Sequence, residues 1–181
     1  MEFDLQSSIA LLSHTPAALN ALLRDLPATW TSKNEGDGTM NALHVVDHLA
    51  FLEGNSWMQR ATIILQSDES QVLPPVNREG LVDEDLDRSL PYLLDEFTRL
   101  RSQNLKALRD LNLQPSDFAK RARHPSFGPV TLSQLLATWT AHDLTHLHQI
   151  SRILAHQYRQ AVGPWIRFLG VLQCEGHSAP G

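Results

Sequence analysis

Ala141-His142-Asp143-Leu144-Thr145-His146-Leu147-His148-Gln149 lies in the last long helical run of the chain. Each helical residue advances about 100°, so side chains four apart stack on one face, roughly 6 Å from one another. His142 and His146 therefore present two imidazoles side by side, a spacing at which neutral ring nitrogens hold one metal ion. Two histidines rarely complete a site. Unless this is simply a histidine-rich amphipathic helix, a third ligand has to come from another element packed alongside it.

Working outward, Thr131 opens this run with Gln134 three residues on, the capping-box pattern of a helix start, and the helix is expected to continue to about Gln160. Gly163-Pro164 breaks it, leaving Trp165 to Leu172 as a short final helix and Glu175 to Gly181 as a mobile tail. Upstream, Leu5 to Leu26 carries one apolar stripe (Leu5, Ile9, Leu12, Ala18, Leu22, Leu26), with a kink or a fresh cap expected at Thr15-Pro16. Asn41 to Leu65 reads as a second long helix, capped at Thr39 and apolar around most of its first half. Asp83 to Leu113 is the third, with Asp83, Glu84, Asp85 and Asp87 crowding its first turn as a solvated start. The connection from Gln66 to Gly80 holds Pro74-Pro75 and is long for a tight turn, so helices two and three can run parallel across a crossover. Residues 114–130, with Pro115, Pro125, Gly128 and Pro129, read as irregular with a short extended piece. The expectation is an all-α four-helix bundle with a long crossover between helices 2 and 3 plus a short C-terminal helix. Residues 1–173 would form a single domain and residues 174–181 a flexible tail.

Composition narrows the function classes. The 181 residues are 42% hydrophobic and 19% charged, as in globular proteins, and the net charge of −5 argues against a general nucleic-acid binder, which needs a basic face or run. One cysteine, Cys174, excludes an intrachain disulfide framework and suits a reducing compartment. The start Met1-Glu2-Phe3-Asp4 lacks signal-peptide character, and no apolar run approaches the ~18 residues of a membrane span. A cytoplasmic protein with no membrane partner is expected. No P-loop, G-x-G-x-x-G or G-x-S-x-G motif is present.

Nine histidines are the unusual feature. His48 sits in the buried run of the second helix beside Leu49, Phe51 and Leu52, and a buried neutral imidazole needs a partner for its polar nitrogens. If the second and fourth helices are neighbours, His48 completes a three-nitrogen set with His142 and His146. His44, one turn earlier, competes with it, although its place near the helix start favours solvation. Gln149 shares the face of His142 and His146 and is a candidate for orienting a water or substrate. His148 points away from that face. Asp143 reads as a residue behind the ligands or on the surface. Three ligands with open positions is the catalytic arrangement for a divalent ion, whereas four closed ligands is the structural one.

Leu43-His44-Val45-Val46-Asp47-His48-Leu49, taken with Gly128-Pro129-Val130-Thr131-Leu132 leading into His142-Asp143-Leu144-Thr145-His146-Leu147-His148-Gln149-Ile150, resembles the DinB superfamily, also grouped with the YfiT-type metal-dependent hydrolases. The resemblance runs from the first helix to about Leu154. It implies a four-helix bundle with a long crossover, often a homodimer, whose metal triad falls on His48, His142 and His146, with Gln149 at the pattern's usual glutamine. It implies zinc or nickel as the divalent metal ion. It also implies activities on a small-molecule substrate: hydrolysis, or transfer and isomerisation that use a low-molecular-weight thiol such as bacillithiol, mycothiol or glutathione. The alternative is a non-catalytic metal-binding or stress-response protein on the same bundle.

Overall fold

The computed structural model describes residues 2–66, 69–76 and 88–174. The acidic run Asp83–Asp87 and the tail from Glu175 onward lie outside the described residues. Four long helical elements form the bundle: α1 (Leu5–Leu23), α3 (Ala42–Asn55) continued by α4 (Trp57–Gln66), α5 (Leu90–Asp110) and α6 (Leu132–His156). A one-turn α2 (Ala28–Thr31) follows α1, and a hairpin of β1 (Arg121–His124) and β2 (Gly128–Thr131) precedes α6.

Helix directions follow from two apolar clusters. One joins Ile9 and Leu12 to Leu105, Leu108, Leu132 and Leu136; the other joins Leu19 and Leu23 to Leu90, Leu94, Val45, Ile150 and Ile153. The early part of α1 thus lies level with the late part of α5 and the early part of α6. So α1 and α6 run one way, and α3 and α5 run the other. The α3–α5 pair is parallel, which requires the expected crossover between Gln66 and Leu90.

Local chemistry explains where the elements begin and end. Asp4 caps α1 by accepting from the Ser7 amide at 2.7 Å. The helix passes through Pro16 without a break. Proline has no N–H to give the Leu12 carbonyl, and that carbonyl instead accepts from Arg101 Nη1 at 2.8 Å. Asn41, not Thr39, caps α3, accepting from the His44 amide at 2.9 Å; the Thr39 hydroxyl instead donates to Gly36 O at 2.7 Å within the preceding loop.

The second helix is not continuous. Ser56 leaves helical geometry (φ −136°, ψ −68°), after Gly54-Asn55, two further residues of modest helix propensity. The chain restarts as α4 at Trp57. Ser89 caps α5, so Pro91 sits in the first turn, where its missing N–H costs nothing, and does not interrupt the helix. Thr131 and Gln134 form the expected capping box of α6. That helix stops at His156, and the final segment forms 3-10 turns over Gly163–Phe168 and Gly170–Leu172 in place of a helix; Gly163 takes φ +53° at the bend.

The hairpin also carries a short basic run, Lys120-Arg121-Ala122-Arg123-His124, which the net acidity of the chain conceals. Two of its cations are neutralised locally, Lys120 by Asp117 at 2.9 Å and Arg121 by Glu69 at 3.1 Å. Among the described residues no helix is long and apolar enough to cross a membrane.

Candidate metal centre

Between the two apolar clusters the bundle holds a polar layer with two parts. The outer part is the histidine set. Antiparallel packing of α3 against α6 places His48 level with His142 and His146. His142 Nε2 lies 3.3 Å from His48 Nε2 and 3.1 Å from His146 Nε2. One ligand nitrogen from each of the three falls within 4.8 Å of the others. His146 is buried; His48 and His142 are half-buried, so the cluster reaches toward solvent on the side of the two latter rings. Among the described residues no fourth His, Cys, Asp or Glu joins the set, and His44 stands outside it.

These separations carry chemical information. A single Nε2 bears either a proton or a lone pair, so His142 Nε2 cannot accept from one neighbour while donating to the other. Three ring nitrogens gathered within 4.8 Å of one another form a donor set of the kind that holds a divalent cation. With metal–nitrogen bonds of about 2.0–2.1 Å, two ligands lie about 2.9 Å apart at a right angle and about 3.4 Å apart at the tetrahedral angle. The observed 3.1 and 3.3 Å fall in that interval.

Gln149 bears on the tautomer of His146. Its Oε1 sits 2.7 Å from His146 Nδ1. An amide oxygen can only accept, so Nδ1 carries the proton and Nε2 turns its lone pair toward the cluster. Burial lowers the His146 pKa, against the opposing pull of Gln149 and Asp143, and this keeps the ring neutral. Gln149 is only 4% exposed and lies behind the ring, on the far side from Nε2. Its observed hydrogen bond is with the histidine.

Trp57 completes one wall. The break at Ser56 stacks its indole on Trp139, with centroids 5.8 Å apart and planes 10° apart, and sets it edge-on to His142 at 5.2 Å.

The inner part of the layer is a buried charge network centred on Arg101, which is 1% exposed. Arg101 grips Asp143 with both terminal nitrogens, at 2.6 and 2.9 Å, and reaches Glu53 Oε1 at 2.8 Å. Thr15 donates to Asp143 Oδ2 at 2.6 Å. Trp139 Nε1 and Asn104 Nδ2 donate to Glu53 at 2.8 and 2.9 Å. The guanidinium also lies over the Phe97 ring, 4.8 Å from its centroid. Burial pulls the Arg101 pKa down, but the bonds and charges of Asp143 and Glu53 outweigh it, and the net shift is upward. One cation facing two carboxylates leaves the network with a formal charge of −1, one residue from His142 and favourable to a cation at the histidines. Asp143 is thus not a surface residue. It ties α6 to α1 and α5 directly behind the ligand face.

Arg101 and Glu53 do not stand out as site residues in the sequence, yet both leave a trace there. Each occupies a core position of its helix, Arg101 between Phe97 and Leu105 and Glu53 after Leu49 and Ala50. A charge on an apolar stripe must find a buried partner.

A parallel-crossover helical bundle gathering three histidines from its second and last long elements defines the class of this protein. The sequence pattern of the DinB superfamily matches residues 11–150, and the chain belongs to that superfamily. Among solved structures it is similar to YfiT from Bacillus subtilis, described as a probable metal-dependent hydrolase with an unusual four-helix bundle topology. The two are 21% identical, the match covers 86% of each chain, and the TM-score is 0.71. It is also similar to TT2238, a four-helix bundle protein, at 21% identity over 82% of this chain and 98% of that one, with a TM-score of 0.52. At these identities the likeness is one of fold. No curated protein matches the chain.

Proposed function

We propose that this protein is a metal-dependent enzyme in which His48, His142 and His146 hold one divalent ion through their Nε2 atoms. The convergence of those atoms at 3.1 and 3.3 Å carries the reading. A divalent ion held by three imidazoles, with positions left open, lowers the pKa of a bound water or thiol and polarises a carbonyl. The absence of a fourth acidic, thiol or imidazole ligand among the described residues favours this open arrangement over a closed structural site. Zinc and nickel both suit an all-imidazole set.

The chain's own residues supply placement and environment. Gln149 holds the His146 proton on Nδ1. Trp57 and Trp139 wall the cluster on one side and restrict how a substrate approaches. The network of Arg101, Asp143 and Glu53 fixes the rotation of α6 about its axis, and with it the directions of His142 and His146. The reaction is hydrolysis, or transfer of an electrophilic small molecule to a low-molecular-weight thiol whose thiolate is the nucleophilic form. YfiT's description as a probable metal-dependent hydrolase supports the metal-dependent class.

The test is metal analysis of untagged protein followed by assay of the zinc- and nickel-loaded forms. One panel pairs bacillithiol, mycothiol or glutathione with an electrophilic substrate; another uses ester and amide substrates. About one ion per chain and turnover in either panel, both abolished in His142→Ala, are expected. Stoichiometric metal with no turnover in any arm would favour a non-catalytic metal-binding protein, and no stoichiometric metal would remove the proposal altogether.

A further inference from the structure

His44 is the histidine that the metal reading leaves unused. It lies one helical turn before His48 on α3 and outside the ligand set. Its backbone amide serves the Asn41 cap at 2.9 Å, whereas its ring makes no hydrogen bond among the described residues. The residue is half-buried, not solvated as its place near the helix start suggests. Asp47, three residues on, interacts with it electrostatically but is drawn into the core, 3% exposed, where Arg88 Nη2 pairs with it at 2.6 Å. The imidazole is therefore available to a molecule from outside the chain.

The rotation of α3 shows which way it faces. At about 100° per residue His44 lies about 40° from His48, on the flank of half-buried Phe51 and exposed Asn55. The other flank holds Val45, Leu49 and Leu52, all buried. On α6 the flank in the same rotational sense carries half-buried His142 with exposed Thr138 and Thr145. The opposite one carries buried Trp139, Asp143 and Ile150. Because α3 and α6 are antiparallel, the two open flanks turn to the same side, the side on which the histidine cluster reaches solvent. Trp57 bounds the cluster toward the start of α6, and His44 stands at the opposite end. One turn of helix separates His44 from His48 by roughly 6 Å, against about 2 Å for a metal–nitrogen bond. That spacing suits contact with a molecule held at the ion, not with the ion itself.

We propose that His44 is the acid–base residue of this site: its imidazole hydrogen-bonds to the molecule bound at the open positions, takes the proton that the attacking water or thiol gives up, and returns it to the atom that leaves. The assignment rests on the metal-dependent reading above. The ring ends the cycle as it began it, so the step needs no further co-reactant. Imidazole is the side chain that such proton transfers use most often. The neighbouring polar groups are less suited. Gln149 is an amide with no proton to exchange, and Asp143 and Glu53 are engaged by Arg101, Thr15, Trp139 and Asn104.

The test compares zinc-loaded full-length wild type with His44→Ala and His44→Gln, and reads binding before activity. All three should hold about one ion per chain and share one circular dichroism spectrum, since His44 is not a ligand. The binding probe is acetohydroxamate, a small chelating anion that fills open metal positions and offers further hydrogen-bonding atoms. By isothermal titration His44→Ala should bind it at least about 10-fold more weakly, while His44→Gln, whose amide keeps a hydrogen bond, should bind it nearly as wild type does. In whichever substrate panel turns over, both variants should lose about 100- to 10,000-fold in kcat, because neither side chain exchanges a proton. Millimolar imidazole should restore part of that loss in His44→Ala alone. A folded, metal-loaded His44→Ala that binds acetohydroxamate as wild type does, or keeps wild-type kcat, overturns the assignment. So does loss of the ion in His44→Ala, which would make His44 a ligand. A wild type without stoichiometric metal is a separate failure, that of the metal reading itself, and it shows before any variant is made.

Discussion

Replacing Arg101 with methionine removes the one cation that, among the described residues, faces both buried carboxylates, while keeping an apolar chain of similar length. Asp143 loses its two-point grip and Glu53 loses one of its donors, at positions 2% and 3% exposed. Removing one partner of a buried ion pair costs about 3–5 kcal/mol, because the remaining charge stays in a poorly solvated interior. The Leu12 carbonyl, already without a helical donor because of Pro16, loses its replacement as well. At about 2–4 °C per kcal/mol for a chain of this size, Arg101→Met is expected to melt about 6–20 °C below wild type.

Neutralising the two carboxyls gives a second readout of the same idea. Adding Glu53→Gln and Asp143→Asn should restore part of the loss. An Arg101→Met variant within 1 kcal/mol of wild type by circular dichroism melting, or a triple variant that recovers none of the loss, would refute the idea that the network holds the bundle together.

The remaining expectations concern the histidines. His142→Ala should bring bound metal from about one ion per chain to none by elemental analysis, while far-ultraviolet circular dichroism stays that of a helical bundle. Gln149→Leu should weaken metal binding about 10–100-fold in chelator competition, the usual effect of losing the group that orients a ligand, whereas Gln149→Glu, which also accepts from Nδ1, should retain most of it. Burial holds the folded-state pKa of His146 below the ordinary 6.5, so in chelator the folded protein binds fewer protons than the unfolded chain between those two values. The contribution of His146 to stability should be present above about pH 6.5 and lost as pH falls through that window, read as a declining melting temperature that His146→Phe flattens.

The histidine pair and its face were legible because the four-residue spacing is a local property of one helix. The candidacy of His48 over His44 was legible because one sits deeper in an apolar run. The crossover showed as a proline-bearing connection too long for a turn. Other features misled because their resolution lies elsewhere in the chain. Thr15-Pro16 reads as a break only until Arg101, 85 positions away, is seen to accept the role of the missing amide. The second helix reads as continuous because Leu, Ile and Val recur on both sides of Ser56. What bends the chain there also turns Trp57 onto Trp139 and His142.

What the sequence determined by itself, then, was the class of bundle and the three histidines, since amphipathic period, caps and i,i+4 spacing are written in neighbouring residues. Only the tertiary structure decided how those histidines are held. Gln149 behind His146, and Arg101 between Asp143 and Glu53, are juxtapositions of side chains on different turns or different helices. They depend on the rotation and register of packed helices, quantities no single helix specifies.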